Sequence, residues 1–424
     1  MSASSTRPSY AAVLRMPHAT RTFTAALVGR LSYGMVSIAM MLAVSRATGS
    51  YAVAGAVMAL FGAASVFLSP LRAALVDRHG PRRALLPMAA LYAGLLGALA
   101  AATWSPGAPA AVLGTVAVAA GACTPPLGPT MRAVWGELVT DRRLLQRAYS
   151  LDGVAEELLF VSGPLLVGVV VGFAPPAAGV AVSALLVGIG TLAFVTSPVV
   201  KGVAVRPSRV RTRTRTRIGH GLVRPVVVAA GVGLSLGAVD LLVLAFAEQR
   251  GHGDDTVAWI FAALSAGSAV GGLLYGAVEW RTGTRVRLRA LTAGLGLALA
   301  GAGLAPGLAT LTGAVVCAGF FVAPALTTAY LVADESAAPG ARVQAGAWVN
   351  TAVNAGVSTG AAAGGLLVGR LPVGAGFALA GGAALLAAVA VGVGTRYSRA
   401  LPQEQAETRE QAAERDAGAA EQAR

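Results

Sequence analysis

The chain has 424 residues, of which 55% are hydrophobic and 12% charged, with a formal net charge of +14. A soluble domain carries about twice that charged fraction, and a water-facing surface could not hide so much apolar side chain. The composition therefore excludes an ordinary soluble protein and points to the bilayer as solvent, with spans of about 20 apolar residues as the elements to find.

Twelve spans follow in chain order: 22–44, 51–75, 84–104, 109–132, 151–173 and 176–197, then, after a basic gap, 223–247, 255–279, 289–306, 309–332, 343–369 and 373–395. Their lengths suit helices crossing a hydrocarbon core about 30 Å thick. Turn-forming stretches separate them: "SPGAP" at 105–109, "APP" at 174–176, "GHGDD" at 251–255, Pro306 and Pro372. Pro306 is also compatible with a kink inside one longer helix. The basic, then apolar N-terminus resembles a signal peptide, with small residues near Ala43–Ser45. Its apolar stretch is too long for one, carries Arg30 and is followed by many more spans, so it reads as a retained first helix. The expected organisation is an N-tail (1–21), a six-helix bundle (22–197), a basic linker (198–222), a second six-helix bundle (223–396) and a charged tail (397–424).

Sorting the 33 Lys and Arg residues by connection places 29 on the side of the N-terminus, three (Arg46, Arg250, Arg370) on the other, and Arg30 within a span. This is the positive-inside pattern. It predicts both termini in the cytoplasm, and it accounts for the net charge without a nucleic-acid partner. The tryptophans are consistent with an interfacial belt, Trp104 and Trp259 at outer span ends and Trp135, Trp280 and Trp348 at inner ones.

The turn between the second and third spans reads "ALVDRHGPRRALL". Positive-inside topology explains its arginines but not Asp77, nor Gly80, which suits a sharp reversal. From Ala73 to Arg83 the stretch resembles the G-x-x-x-D-R-x-G-x-R-R signature of the major facilitator superfamily. Asp77, Arg78, Gly80, Arg82 and Arg83 match in place, and Ala73 stands where the family usually has Gly. Gly276, Arg281, Gly283 and Arg285 repeat the spacing in the second half, with Trp280 in place of the acid and Glu279 beside it. Gln146–Ser150 and Gln344–Trp348 enter their helices in similar fashion.

The resemblance implies an all-α integral membrane protein with twelve transmembrane helices in two six-helix repeats, the major facilitator fold, working by alternating access with a midplane site. It also implies that Asp77 is held at the start of helix 11, where a helix N-terminus offers free N–H groups and a favourable dipole, while the motif's basic residues tie the helix ends together. On this reading Asp77 is a conformational latch. The alternative is an ordinary solvated turn.

In the fifth span Gly163, Pro164 and Gly168 resemble part of the family's antiporter motif, which is associated with exporters. The physical content is close helix packing and a kink, and Gly356, Gly360 and Gly364 of helix 11 answer on one face. Helix 4 lacks the internal Arg often found in proton-coupled drug exporters of the family, since Arg132 falls at its end.

Ionisable residues inside spans are functional candidates by default. Arg30 and either Glu156 or Glu157 lie at similar depth on neighbouring helices, so a buried ion pair is expected, as a brace or as a substrate site. Asp240, in "SLGAVDLLVLAF", has no basic neighbour in its helix. It is the favoured proton- or substrate-coupling residue, the alternative being a hydrogen-bonded carboxyl that never exchanges a proton. Tyr33, Asn350 and Asn354 are candidate cavity residues, though the asparagines equally suit helix–helix bonds. His18, His79, His220 and His252 fall in loops or tails. Cys123 and Cys317 form no disulfide framework or metal cluster, and no cofactor or nucleophile–base set is expected.

The linker "RPSRVRTRTRTRIGHG" suits contact with anionic lipid heads better than nucleic acid, since it lacks interleaved aromatics. Abundant Ala, Gly and Arg suggest a high-GC bacterium of actinobacterial type. The expected function is proton-coupled export, or efflux, of a small apolar or cationic drug or metabolite by a monomeric multi-pass antiporter of the bacterial cell membrane. The alternatives are an importer of a sugar or other nutrient, and a non-transporting scaffold or sensor. An enzyme is not expected.

Overall fold

The computed structural model describes residues 9–202 and 220–391, so most of the 198–222 linker and all of the 397–424 tail lie outside the described residues. In chain order the helices of the first half are α1 (Tyr10–Leu14), α2 (Ala19–Thr48), α3 (Tyr51–Phe67), α4 (Ser69–His79), α5 (Pro81–Ala102), α6 (Ala110–Cys123), α7 (Leu127–Leu138), α8 (Arg142–Phe173), α9 (Pro176–Val195) and α10 (Pro198–Gly202). The second half has α11 (His220–Glu248), α12 (Asp254–Ala277), α13 (Thr284–Ala302), α14 (Leu308–Ser336), α15 (Arg342–Leu367) and α16 (Val373–Val391).

Among the described residues, nine spans are apolar and long enough to cross a bilayer, with the α6–α7 stretch counted as one, and the bent pair α3–α4 makes a tenth. The remaining two of the twelve expected spans are α13, whose first turns carry Arg285, Arg287 and Arg289, and α15, which carries Gln344, Asn350 and Asn354. Both are long enough to cross, and polar residues lower their hydropathy. The break at Pro306 is real, separating α13 from α14.

Two spans are broken. The second bends by 42° at Leu68, between α3 and α4. The fourth stops at Cys123 and restarts at Leu127, because "TPP" at 124–126 removes backbone donors that a continuous helix needs. Helices approach closely where glycines meet. A Cβ at Gly163 of α8 would collide with the backbone of Gly34 of α2, and one at Gly190 of α9 with Gly29. In the second half Gly356 and Gly360 press on Ala230 and Leu234 of α11, and Gly364 lies against Ala238. These three glycines pack within their own half and do not answer helix 5, correcting that expectation. Leu165, Val169, Leu185, Ile189, Leu386 and Val389 face outward, as a lipid-immersed surface requires.

The tryptophan belt holds only in part. Trp104, Trp259 and Trp280 are exposed, but Trp135 is fully buried against Phe23, with ring centroids 5.6 Å apart, and belongs to the core.

Candidate functional site

Asp77, the last acid of α4, sits where α4 ends at Gly80, whose φ of 84° lies in the left-handed region that glycine tolerates best. The carboxylate reaches across to the first turn of α15. Oδ1 accepts from the Val343 N–H at 3.2 Å and Oδ2 from the Gln344 N–H at 2.8 Å. These are donors that a helix N-terminus leaves unpaired, and the negative charge also meets the positive end of the dipole.

Arg78, Arg82 and Arg83 are exposed and have no polar partner among the described residues, which corrects the expectation that they tie the helix ends. Other residues make those ties. Arg342 pairs with Glu137 at 3.2 Å, Arg143 with Glu279 at 2.7 Å, and Gln146 donates to the Tyr275 carbonyl at 2.7 Å. Arg147 donates to the Ala277 carbonyl, and the Tyr10 hydroxyl to the Leu273 carbonyl. Glu279, beside the residue that replaces the acid in the degenerate repeat, thus meets an arginine side chain in the first turn of α8, not the free backbone N–H groups that Asp77 meets on α15. Gly276 leaves room for the Tyr10 hydroxyl and Ser150, where a Cβ would clash.

Among the described residues these bonds between the halves all lie at the α4–α5 end or in the middle of the molecule. That end is closed. A cavity of about 560 Å³ lies between the halves in the middle of the molecule. Val36, Phe61, Leu236 and Val353 supply much of its apolar wall, and Tyr33, Asn350 and Asn354 line it as the sequence suggested. The Tyr33 hydroxyl donates to the Pro125 carbonyl at the break in the fourth span, at 2.5 Å. Asn354 donates to the Asn350 backbone, leaving the Asn350 side chain without a partner among the described residues.

At the cavity floor Arg30, Arg132 and Glu156 line the space, and Asp152 is fully buried behind them. Arg30 of α2 binds Asp152 at 2.7 Å and Glu156 at 3.0 Å, both on α8. Arg132 of α7 binds Asp152 at 2.9 Å and also Glu156. Two guanidinium and two carboxylate groups thus neutralise each other, which makes their burial tolerable. The expected Arg30–glutamate pair is present, with Glu156 as its glutamate, but half of the network was missed. Arg132 is 4% exposed and Asp152 0% exposed. Asp152 precedes Glu156 by four residues and so shares its helix face, a signal visible in the sequence. Arg132 sits at the end of the fourth span in a straight reading, and the break at 124–126 carries it inward.

Arg72 of α4 is 5% exposed. Its guanidinium donates to the carbonyls of Ser65 and Gly121, close to the ends of α3 and α6. One cation therefore braces both broken spans, and the negative ends of two helices offset its charge.

Glu157 points to a different neighbour from Glu156, as their offset of about 100° requires. It lines the cavity and accepts a hydrogen bond from Ser268 of α12, in the other half, while its Oε2 is buried and has no partner. Asp240 does not line the cavity. It lies one turn beyond Leu236, which does, on the same face of α11, and is exposed with no polar partner among the described residues. In helix 5, Gly163 makes the close contact with α2 and Pro164 lies within an unbroken α8, but Gly168 faces open space. No group of three or more His, Cys, Asp or Glu among the described residues could hold a metal ion.

Two closely packed helical halves, with a cavity between them and hydrogen bonds joining them at one end, form the architecture of a membrane transporter. The family model of the Major Facilitator Superfamily matches residues 22–253 and 225–421. The chain belongs to the major facilitator superfamily, and is a secondary transporter rather than an enzyme. Solved structures share the fold at low identity. A bacterial homologue of the iron transporter ferroportin, in an outward-facing state, superimposes with a TM-score of 0.71 at 13% identity, covering 89% of this chain and 98% of its own. The human organic anion transporter MFSD10 gives 0.68 at 16% identity, covering 91% and 100%. The proton:xylose symporter XylE, bound to a bromodeoxyglucose, gives 0.64 at 13%, covering 90% and 95%. No curated protein matches the sequence.

Proposed function

We propose that the protein exports a small, largely apolar or cationic compound across a bacterial cell membrane in exchange for protons. With the α4–α5 end in the cytoplasm, as the charge distribution favours, the conformation is outward-facing. The observation that carries the reading is the cavity itself. Its walls are mainly apolar, and the charges at its floor cancel in the network of Arg30, Arg132 and Glu156 with the buried Asp152. That leaves Glu157 as a cavity carboxyl with no cation of its own. Its place between the halves favours it over Asp240 as the proton carrier, with Asp240 nearer the mouth as an outer proton or cation site. The partial antiporter motif around Gly163 and Pro164 supports export. Import of a neutral nutrient such as a sugar is the second reading, favoured by the free Asn350 amide and the Tyr33–Tyr92 aromatic pair, with ring centroids 6.4 Å apart.

The test uses purified protein in liposomes that enclose a pH dye. Lipophilic cations, neutral antibiotics, and pentoses or hexoses are added in turn, and proton flux is recorded for the wild type, Glu157→Gln and Asp240→Asn. Proton flux driven by an apolar or cationic compound and lost in Glu157→Gln is the expected result. Flux driven only by sugars would establish the second reading, and flux that survives Glu157→Gln but not Asp240→Asn would return the coupling role to Asp240.

A further inference from the structure

Ser268 of α12 is 3% exposed, and its hydrogen bonds run in one direction. Its Oγ accepts from the backbone N–H of Ala323 on α14 at 3.2 Å. Its own proton is therefore free to go to Glu157 Oε1, across the boundary between the halves. The second half thus fixes the hydroxyl and aims it at a carboxyl of the first half.

We propose that Ser268 is a positioning residue that makes proton binding at Glu157 depend on the conformational state. This rests on the reading of Glu157 as the proton carrier. A donor aimed at a carboxylate favours the charged form, so in the conformation closed at the α4–α5 end the Ser268 hydroxyl opposes protonation of Glu157. In this conformation α8 and α12 meet along the closed part of the molecule, where Val154 lies against Gly272 and Ser150 against Gly276. Opening that end pulls the two helices apart and removes the donor. Linkage then runs both ways: a proton on Glu157 weakens the tie and favours opening, and opening favours the proton.

The surrounding groups leave this role to Ser268. On the same helix, Glu156 and Asp152 are occupied by Arg30 of α2 and Arg132 of α7. Tyr330 of α14 covers Arg132. Tyr275 of α12 is bonded to Thr328 nearer the closed end, and Tyr10 of α1 to Leu273. The helix α9, also packed on α8, carries no titratable residue.

The experiment is a pH titration of the full chain in liposomes by difference infrared spectroscopy, following the carboxyl band that Glu157→Gln abolishes. Ser268→Ala removes the donor at a small change in volume. Its Glu157 midpoint is expected to rise by about one pH unit, a tenfold change in proton affinity, with fewer protons moved per substrate. Ser268→Thr, which keeps the hydroxyl, should hold the midpoint near the wild-type value. An unmoved midpoint in Ser268→Ala, or equal shifts in both variants, would overturn the role of Ser268 alone. If Glu157→Gln abolishes no titrating band and leaves proton flux intact, the proton reading of Glu157 falls and this inference with it.

Discussion

The guanidinium of Arg132 lies 3.8 Å from the centre of the Tyr330 ring, a contact between α7 of the first half and α14 of the second. It closes the floor of the cavity. Beneath it is a much smaller space bordered by Asp334, Arg342 and Gly346. A cation–π contact shielded from water contributes about 2 kcal/mol, enough to hold the floor shut in most molecules. Tyr330→Leu should therefore speed thiol labelling of Gly346→Cys several-fold in a Cys123→Ala, Cys317→Ala background, and Tyr330→Phe should not. Equal labelling rates in the Leu and Phe variants would show that the ring does not seal the floor.

The four-charge network makes a sharper prediction about stability. Asp152→Leu leaves two arginines facing one carboxylate in a buried site, at a cost of about 3–5 kcal/mol. Arg30→Met added to Asp152→Leu restores neutrality, leaving Arg132 with Glu156. The double variant should thus be more stable than Asp152→Leu alone, with thermal unfolding in detergent as the measurement. A double variant less stable than either single change would mean that the network is held by shape rather than by charge balance.

The proposed Asp77 latch predicts a shift in population. Asp77→Asn keeps an acceptor for one N–H of α15 but loses the charge, and a hydrogen bond to a charged group contributes about 1.5–3 kcal/mol. Spin labels at Arg82→Cys and Arg285→Cys, both exposed and on opposite halves at the closed end, should show a longer-distance population growing about tenfold or more in Asp77→Asn. An unchanged distance distribution would reduce the motif to a tight turn.

Helix number, the two halves and the position of the latch were legible because they depend on local pattern: apolar span length, turn residues, and an acid and a glycine at fixed spacing. What escaped depends on partners far along the chain. Arg72, Arg132 and Arg147 look like loop arginines at span ends, yet each is buried because broken or overlong helices carry it inward. The charge count over connections still gives the same orientation, since it averages over many residues. Asp240 is a lone acid in apolar sequence, and Glu157 sits beside Glu156. Only the packing reveals that Glu157 faces a hydroxyl 111 residues away while Asp240 stands outside the cavity. Trp135 misled for the same reason, since one face of α7 is core rather than interface.

The helix 5 motif separates into two residues with opposite expected behaviour. Gly163 meets the backbone of Gly34, and backbone cannot move aside as a side chain can, so Gly163→Ala should force α2 and α8 apart. Such overpacking costs about 1–3 kcal/mol, and here it would also move Arg30 relative to Asp152 and Glu156, so transport should fall together with stability. Gly168 has no atom within 4 Å of an added Cβ. Alanine there gains helix propensity, about 0.5–1 kcal/mol relative to glycine. Gly168→Ala should match or exceed the wild type in thermal unfolding and keep its transport rate. If Gly168→Ala abolishes transport while the fold stays intact, Gly168 must be packed in the opposite conformation, and the motif would then act in the conformational change rather than in the static contact with α2.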